Sequence, residues 1–223
     1  MLRDRPLSEF LQYLASHEQT EQSLPALTAL SQELGVSVAS LREQLEVARA
    51  LGLVEVKPRT GIRRQPYNFL PAVRQSLQYA LALDKNSFIA FADLRRHIET
   101  AYWHEAVRLL TPEDHTALKD LVARAWEKLR GTPIEIPHPE HRELHLAIYC
   151  RLNNPFVIGI LQAYWDAYET VGLNFFTDYD YLTEVWTYHQ KMVDSICNGK
   201  FDAGFKALTD HSDLINQLIS SSK

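Results

Sequence analysis

Two glycines, Gly35 and Gly52, each stand just past an apolar stripe of helical spacing, and together they constrain how the first 64 residues can be arranged. Leu27, Leu30 and Leu34 make one stripe; Leu41, Leu45, Ala48 and Leu51 make the next. Each glycine therefore falls where a helix end favours a left-handed residue. Leu7, Phe10, Leu11 and Leu14 predict a helix ahead of both. Between the two stripes GVSVAS leaves room only for a short turn and a serine to cap the next helix. After Gly52, LVEV at 53–56 reads as a strand, PRTG at 58–61 as a turn and IRRQ as the returning strand.

Helix, turn, helix and then a two-stranded ribbon is the layout of a winged-helix DNA-binding unit. Charge bears on that reading through its distribution. Residues 1–64 hold eight Lys/Arg and eight Asp/Glu, so the excess acidity behind the net charge of -5 lies beyond them. KPRTGIRR at 57–64 puts four positive charges into eight residues. By itself this run fits a solvated turn as well as a phosphate-contacting element.

The remainder predicts an all-α bundle, which makes the fold class mainly α: an N-terminal winged helix-turn-helix followed by helices. QPYNFLP at 65–71 is the linker candidate, dividing a domain at 1–66 from one at 67–223. Helical patterns begin at Leu77 and continue over Phe88 to Leu110 and Leu118 to Leu129, the latter after a Thr111–Pro112 start. Further helices are expected near 139–152, 154–174, 178–198 and 200–220. Cys150 and Cys197 lie in apolar surroundings without a disulfide pattern, and neither a signal peptide nor a membrane span is indicated, so a cytoplasmic location is expected.

HRELH at 141–145 sets two imidazoles one helical turn apart, a spacing that suits a shared metal ion. With nine His in the chain such a pair also arises by chance, so the pair alone decides nothing. His17, His115 and His138 read as structural. His97 and His104, seven apart, share a helix face and could line a cavity.

LPALTALSQELGVSVASLREQLEVARALGLVEVKPRTGI resembles the winged-helix domain of GntR-type transcription regulators, with the GVS turn, the LRE pair, Gly52-Leu53-Val54 and Gly61 in register. The resemblance implies a double-stranded DNA operator contacted by Ser37, Ser40 and Arg42 and by the wing residues Lys57, Arg59, Thr60 and Gly61. Two basic positions of the pattern are lost, to Thr28 and Val38, which implies an unusual operator or weaker binding.

The C-terminal part resembles the ligand domain of the FadR-like branch of that family. ADLRRHIE at 92–99, HRELHLAIYCRLNNPFV at 141–157 and the His189 to His211 segment carry the likeness. It implies a divalent ion held by His141, His145, His189 and His211, with His141 standing where the branch has Asp. An all-nitrogen set favours Zn²⁺ or Ni²⁺ over Mg²⁺ or Ca²⁺. It also implies a homodimer and a small carboxylate effector bound near Arg95 and Asn154, with His97, on the same helix as Arg95, a further candidate contact. For Arg95 two readings stay open: capture of that carboxylate, or a plain i, i+4 pair with Glu99. No catalytic set stands out. The rival expectations are a metal-dependent enzyme, for which Glu143 points off the His face, and a sensing protein without DNA affinity.

Overall fold

The computed structural model of the chain describes residues 7–16, 23–58, 61–172 and 178–221. In order these form α1 (Glu9–Ser16), α2 (Leu27–Leu34), α3 (Val38–Ala50), β1 (Val54–Lys57), β2 (Gly61–Arg64), α4 (Leu70–Leu83), α5 (Ser87–Leu109), α6 (Pro112–Arg130), α7 (His138–Ile148), α8 (Pro155–Thr170), α9 (Tyr179–Cys197) and α10 (Phe201–Ser221). The fold is mainly α, in two compact units, Met1–Gln75 and Ser76–Lys223. Among the described residues no helix is long and apolar enough to cross a membrane.

The first unit closes around Phe10, Leu14, Leu30, Leu41, Leu45 and Ala48, inward positions of the expected stripes, with Val54 and Ile62 from the two strands. Ser37 caps α3, its hydroxyl oxygen accepting from the Ser40 amide at 3.2 Å. The strands are antiparallel, Val54 opposite Arg64 and Lys57 opposite Gly61, each shifted by one residue from the expected span. Their outer edge is used too: the Leu24 amide donates to the Ile62 carbonyl at 2.9 Å, tying the segment before α2 to the ribbon. The linker candidate is partly helix, because α4 begins at Leu70 with its first amide bonded to Asn68 Oδ1. Pro71 is tolerated there, since first-turn amides have no intrahelical acceptor.

In the second unit α9 and α10 form a helical hairpin; α6 packs on α7 and α9, and α5 on α8 and α10. Thr111 and Asp114 make a reciprocal capping box at the start of α6. Helix α7 ends four residues earlier than expected. The buried Tyr149 donates its hydroxyl to the Glu99 carbonyl at 2.9 Å, and the chain turns before Asn154 caps α8. Lys128 anchors the front of α7 by reaching the Glu140 carboxylate at 2.8 Å. Contrary to expectation Cys150 is exposed and Cys197 half-buried; both thiols are free.

Gly35 and Gly52 hold φ of 66° and 72°, but only Gly52 is also crowded: an added Cβ would stand 2.5 Å from Pro71 Cγ, whereas at Gly35 nothing lies within 4 Å. Gly35→Ala should therefore cost about 1 kcal/mol, the left-handed penalty alone, and Gly52→Ala at least about twice that, because the proline must also move. Urea unfolding of the two variants followed by circular dichroism checks the order; equal losses would contradict it.

Candidate metal centre

Helix α7 presents His141 and His145 on one face, and α9 and α10 bring His189 and His211 against it. All four rings are buried, His189 completely. One nitrogen from each lies within 4.8 Å of the others, and the His189 and His211 ring centres are 4.4 Å apart. The edge of the Trp165 ring against His141 and of Trp186 against His189, each at 4.7 Å, closes the cluster to water.

Four of the eight ring nitrogens lack a hydrogen-bond partner. His141 Nε2, His189 Nδ1 and both nitrogens of His211 are buried and unpartnered. Each such atom costs about 1–3 kcal/mol in desolvation unless something satisfies it. Burial, reinforced by the neighbouring rings and Arg95, pushes His141, His189 and His211 well below the ordinary imidazole value, and burial with Arg95 lowers His145 as well. All four are therefore neutral, each with a lone pair to offer. Convergent neutral imidazoles are what a nitrogen-preferring divalent ion requires, so the donor set fits one.

Beneath His145 lies a charged pair from α5. Arg95 and Glu99 are buried at 5% and 2% exposure, with Nη2 3.0 Å from Glu99 Oε1. His145 Nδ1 stands 3.1 Å from the same Oε1 and 2.8 Å from Nη2. Burial alone would raise the Glu99 carboxyl, but Arg95 and His145 hold it below the usual range, so it is a carboxylate. The guanidinium lies over the Tyr164 ring at 4.3 Å. Arg95 Nε and the Tyr164 hydroxyl are both buried without a partner. The Arg95–Glu99 pair is thus real, but it is a buried pair with a donor to spare.

Two other expected residues, His97 and His104, lie apart from the four imidazoles. His97 is exposed, with its Nδ1 2.8 Å from the Asp93 carbonyl, because two residues along a helix from Arg95 turn it roughly 200° away from the core. His104 sits at the surface with Asp202 at 2.9 Å and does not reach the cluster. Asn154 spends its side-chain carbonyl capping α8, at 3.1 Å from the Phe156 amide, and its amide reaches the Tyr102 hydroxyl at 3.3 Å. Glu143 is exposed beside Arg124. His138 stacks on Tyr168 with ring centres 5.5 Å apart and contacts Glu169.

Glu99 as the partner of His145, and Tyr164 beside Arg95, were not singled out from sequence. A signal existed: Phe88, Arg95, Glu99, Trp103 and Val107 form one stripe, which places both charges on the core face of α5.

On the first unit, Ser37, Arg42 and Gly61 are exposed. Ser40 Oγ accepts from Gln44 at 3.4 Å, and Lys57 pairs with Glu55 at 2.9 Å across exposed surface. Arg59 and Thr60, like His17, lie outside the described residues. Arg63, exposed on β2 opposite Glu55, adds a basic group to this face.

The FCD domain model matches residues 90–214. Among solved structures, a Streptococcus agalactiae GntR protein superposes with a TM-score of 0.70 at 15% identity, covering 93% of this chain and 95% of that one. E. coli McbR/YncC gives a TM-score of 0.54 at 18% identity, over 97% and 99%. Lar, which controls expression of the Listeria monocytogenes agr system, gives 0.50 at 16% identity, over 94% of each chain. At these identities the likeness establishes the fold. No curated protein matches the sequence.

The neutral cluster makes stability depend on pH in a definite direction. On unfolding the four imidazoles regain their ordinary value near 6.5. Below that pH the unfolded chain binds more protons than the folded one, so stability is full above about 6.5 and falls as pH drops, by up to about 1.4 kcal/mol per pH unit for each proton. Urea unfolding of chelator-treated protein between pH 7.5 and 5.5 should show this decline, and a flat profile would contradict it.

Proposed function

We propose a metal-dependent sensing role, on the premise that this chain belongs to the FCD-domain family of GntR-type transcription regulators. It is a transcription regulator with a C-terminal ligand-binding domain. His141, His145, His189 and His211 hold one divalent ion, Zn²⁺ or Ni²⁺, and the ion helps to capture a small carboxylate effector. The observation that carries this reading is the convergence of four buried imidazoles, with four of their eight ring nitrogens lacking any partner.

Charge supports the effector class. Arg95 and Glu99 cancel each other, and four neutral imidazoles leave the charge of a divalent ion uncompensated in a dry site. An anion resolves this at lower cost than burial of the bare charge. The unpartnered Arg95 Nε and Tyr164 hydroxyl offer it donors. The ion is assigned no catalytic step. When bound it supplies a Lewis-acidic anchor, while this chain's residues orient the anion and exclude water.

DNA contact falls to Ser37, Ser40 and Arg42 at the front of α3 and to Lys57, Arg59, Thr60 and Gly61 of the wing. A homodimer brings two such units to a palindromic operator. With Thr28 and Val38 in place of basic residues, the operator departs from the family's usual one. Effector binding alters operator affinity by favouring one of two dimer arrangements.

Elemental analysis of purified protein by inductively coupled plasma mass spectrometry should find about one Zn or Ni per chain, lost in His145→Ala and His189→Ala. Selection from random DNA should enrich one palindromic sequence. Absence of metal after incubation with both ions, or no enriched sequence, would contradict the corresponding half of the reading.

A further inference from the structure

His145 Nδ1 has two neighbours that make opposite demands. Arg95 Nη2, at 2.8 Å, can only donate a hydrogen bond, and the Glu99 carboxylate, at 3.1 Å, can only accept one. A single ring nitrogen serves one of them at a time. With its lone pair exposed, Nδ1 accepts from Arg95 and faces Glu99 oxygen against nitrogen. With a hydrogen attached, it donates to Glu99 and turns an N–H towards the N–H of Arg95. The other side of the ring is coupled to this choice: His145 Nε2 lies 3.1 Å from His189 Nε2, and that contact needs one hydrogen between the two nitrogens. The neutral ring therefore has two tautomers, and each satisfies a different set of neighbours.

An ion in the four-histidine cluster removes the ambiguity. It takes a lone pair from Nε2, the His145 nitrogen that faces His189. The one proton of the neutral ring must then sit on Nδ1, where Glu99 accepts it. We propose that Glu99 is a positioning residue for metal binding, and that metal binding, by fixing the Nδ1–H form of His145, strips Arg95 of its imidazole acceptor and frees it to bind an anion. The proton moves from Nε2 to Nδ1 of the same ring, so the ring stays neutral. One hydrogen of Arg95 Nη2 remains on Glu99, 3.0 Å away, and the other is released beside the unpartnered Nε. The two sites are thereby ordered, with the ion binding first and the anion second. The coupling rests on the metal-binding reading above and adds a regulatory link to it.

Wild-type protein carrying ¹⁵N-labelled histidine, compared after chelation and after loading with Zn²⁺, reports the tautomer directly through the Nδ1 and Nε2 shifts. The His145 signals are identified by their absence in His145→Gln. The expected result is Nδ1 without hydrogen in the chelated protein, where its contact to the donor Arg95 at 2.8 Å is shorter than that to Glu99 at 3.1 Å, and Nδ1–H on zinc loading. Glu99→Ala should weaken Zn²⁺ binding about 10–100-fold. That variant also strands a buried arginine, so Glu99→Gln serves as the second variant: its carbonyl still accepts from Nδ1, and it should recover most of the affinity. One zinc per chain with the same His145 tautomer in both samples would overturn this coupling and leave the metal site standing, and so would wild-type zinc affinity in Glu99→Ala. No bound zinc at all would overturn both.

Discussion

Four imidazole lone pairs, buried where α7, α9 and α10 meet, are the groups on which the rest of the bundle depends. A helical core can bury leucine at no electrostatic cost, but unpartnered nitrogens destabilise it unless something takes their lone pairs. The surrounding packing makes sense in that light. Trp165 and Trp186 exclude water, which alone would otherwise satisfy the rings. The short connection between α9 and α10 sets His189 against His211, and the Lys128–Glu140 pair anchors the end of α7 that carries His141. Dryness serves function as well, since electrostatic attraction for an ion and for an anion beside it is far stronger in a low-dielectric site than in water.

Behind the cluster, the Arg95–Glu99 pair links the chemistry of the ion to that of a ligand. On an exposed helix such a pair contributes a few tenths of a kcal/mol. Buried beside His145, it becomes a relay in which a carboxylate orients an imidazole and a guanidinium waits on the outcome. A regulator needs coupling of this kind. A ligand shifts a conformational equilibrium only by its differential affinity for the two states, and a receptor completed by an ion gives such a difference a structural origin.

Much of this was legible in the sequence. The stripes ending at Gly35 and Gly52 give α2 and α3 almost residue for residue, because a left-handed glycine is a sharp local signal. The four histidines, spread over seventy positions, were legible only through resemblance to a family, since nothing local says that His189 meets His141. The readings that failed did so for identifiable reasons. His97 shares a helix face with His104, seven residues on, but that face looks to solvent rather than to the histidine cluster. Helix α7 stops at Ile148 rather than running on to 152, because Tyr149 turns its hydroxyl to the Glu99 carbonyl and the chain bends towards the Asn154 cap of α8. Pro66 and Pro71 both read as linker, but a first-turn proline does not stop a helix.

X-ray absorption spectroscopy at the zinc edge of the loaded protein tests the central claim most directly, because it counts the ligand atoms themselves. The account predicts four nitrogen neighbours at about 2.0–2.1 Å with the outer-shell scattering of imidazole rings, joined by oxygen only when an anion is added. A spectrum dominated by oxygen or sulfur, or one with fewer than three imidazoles, would contradict it.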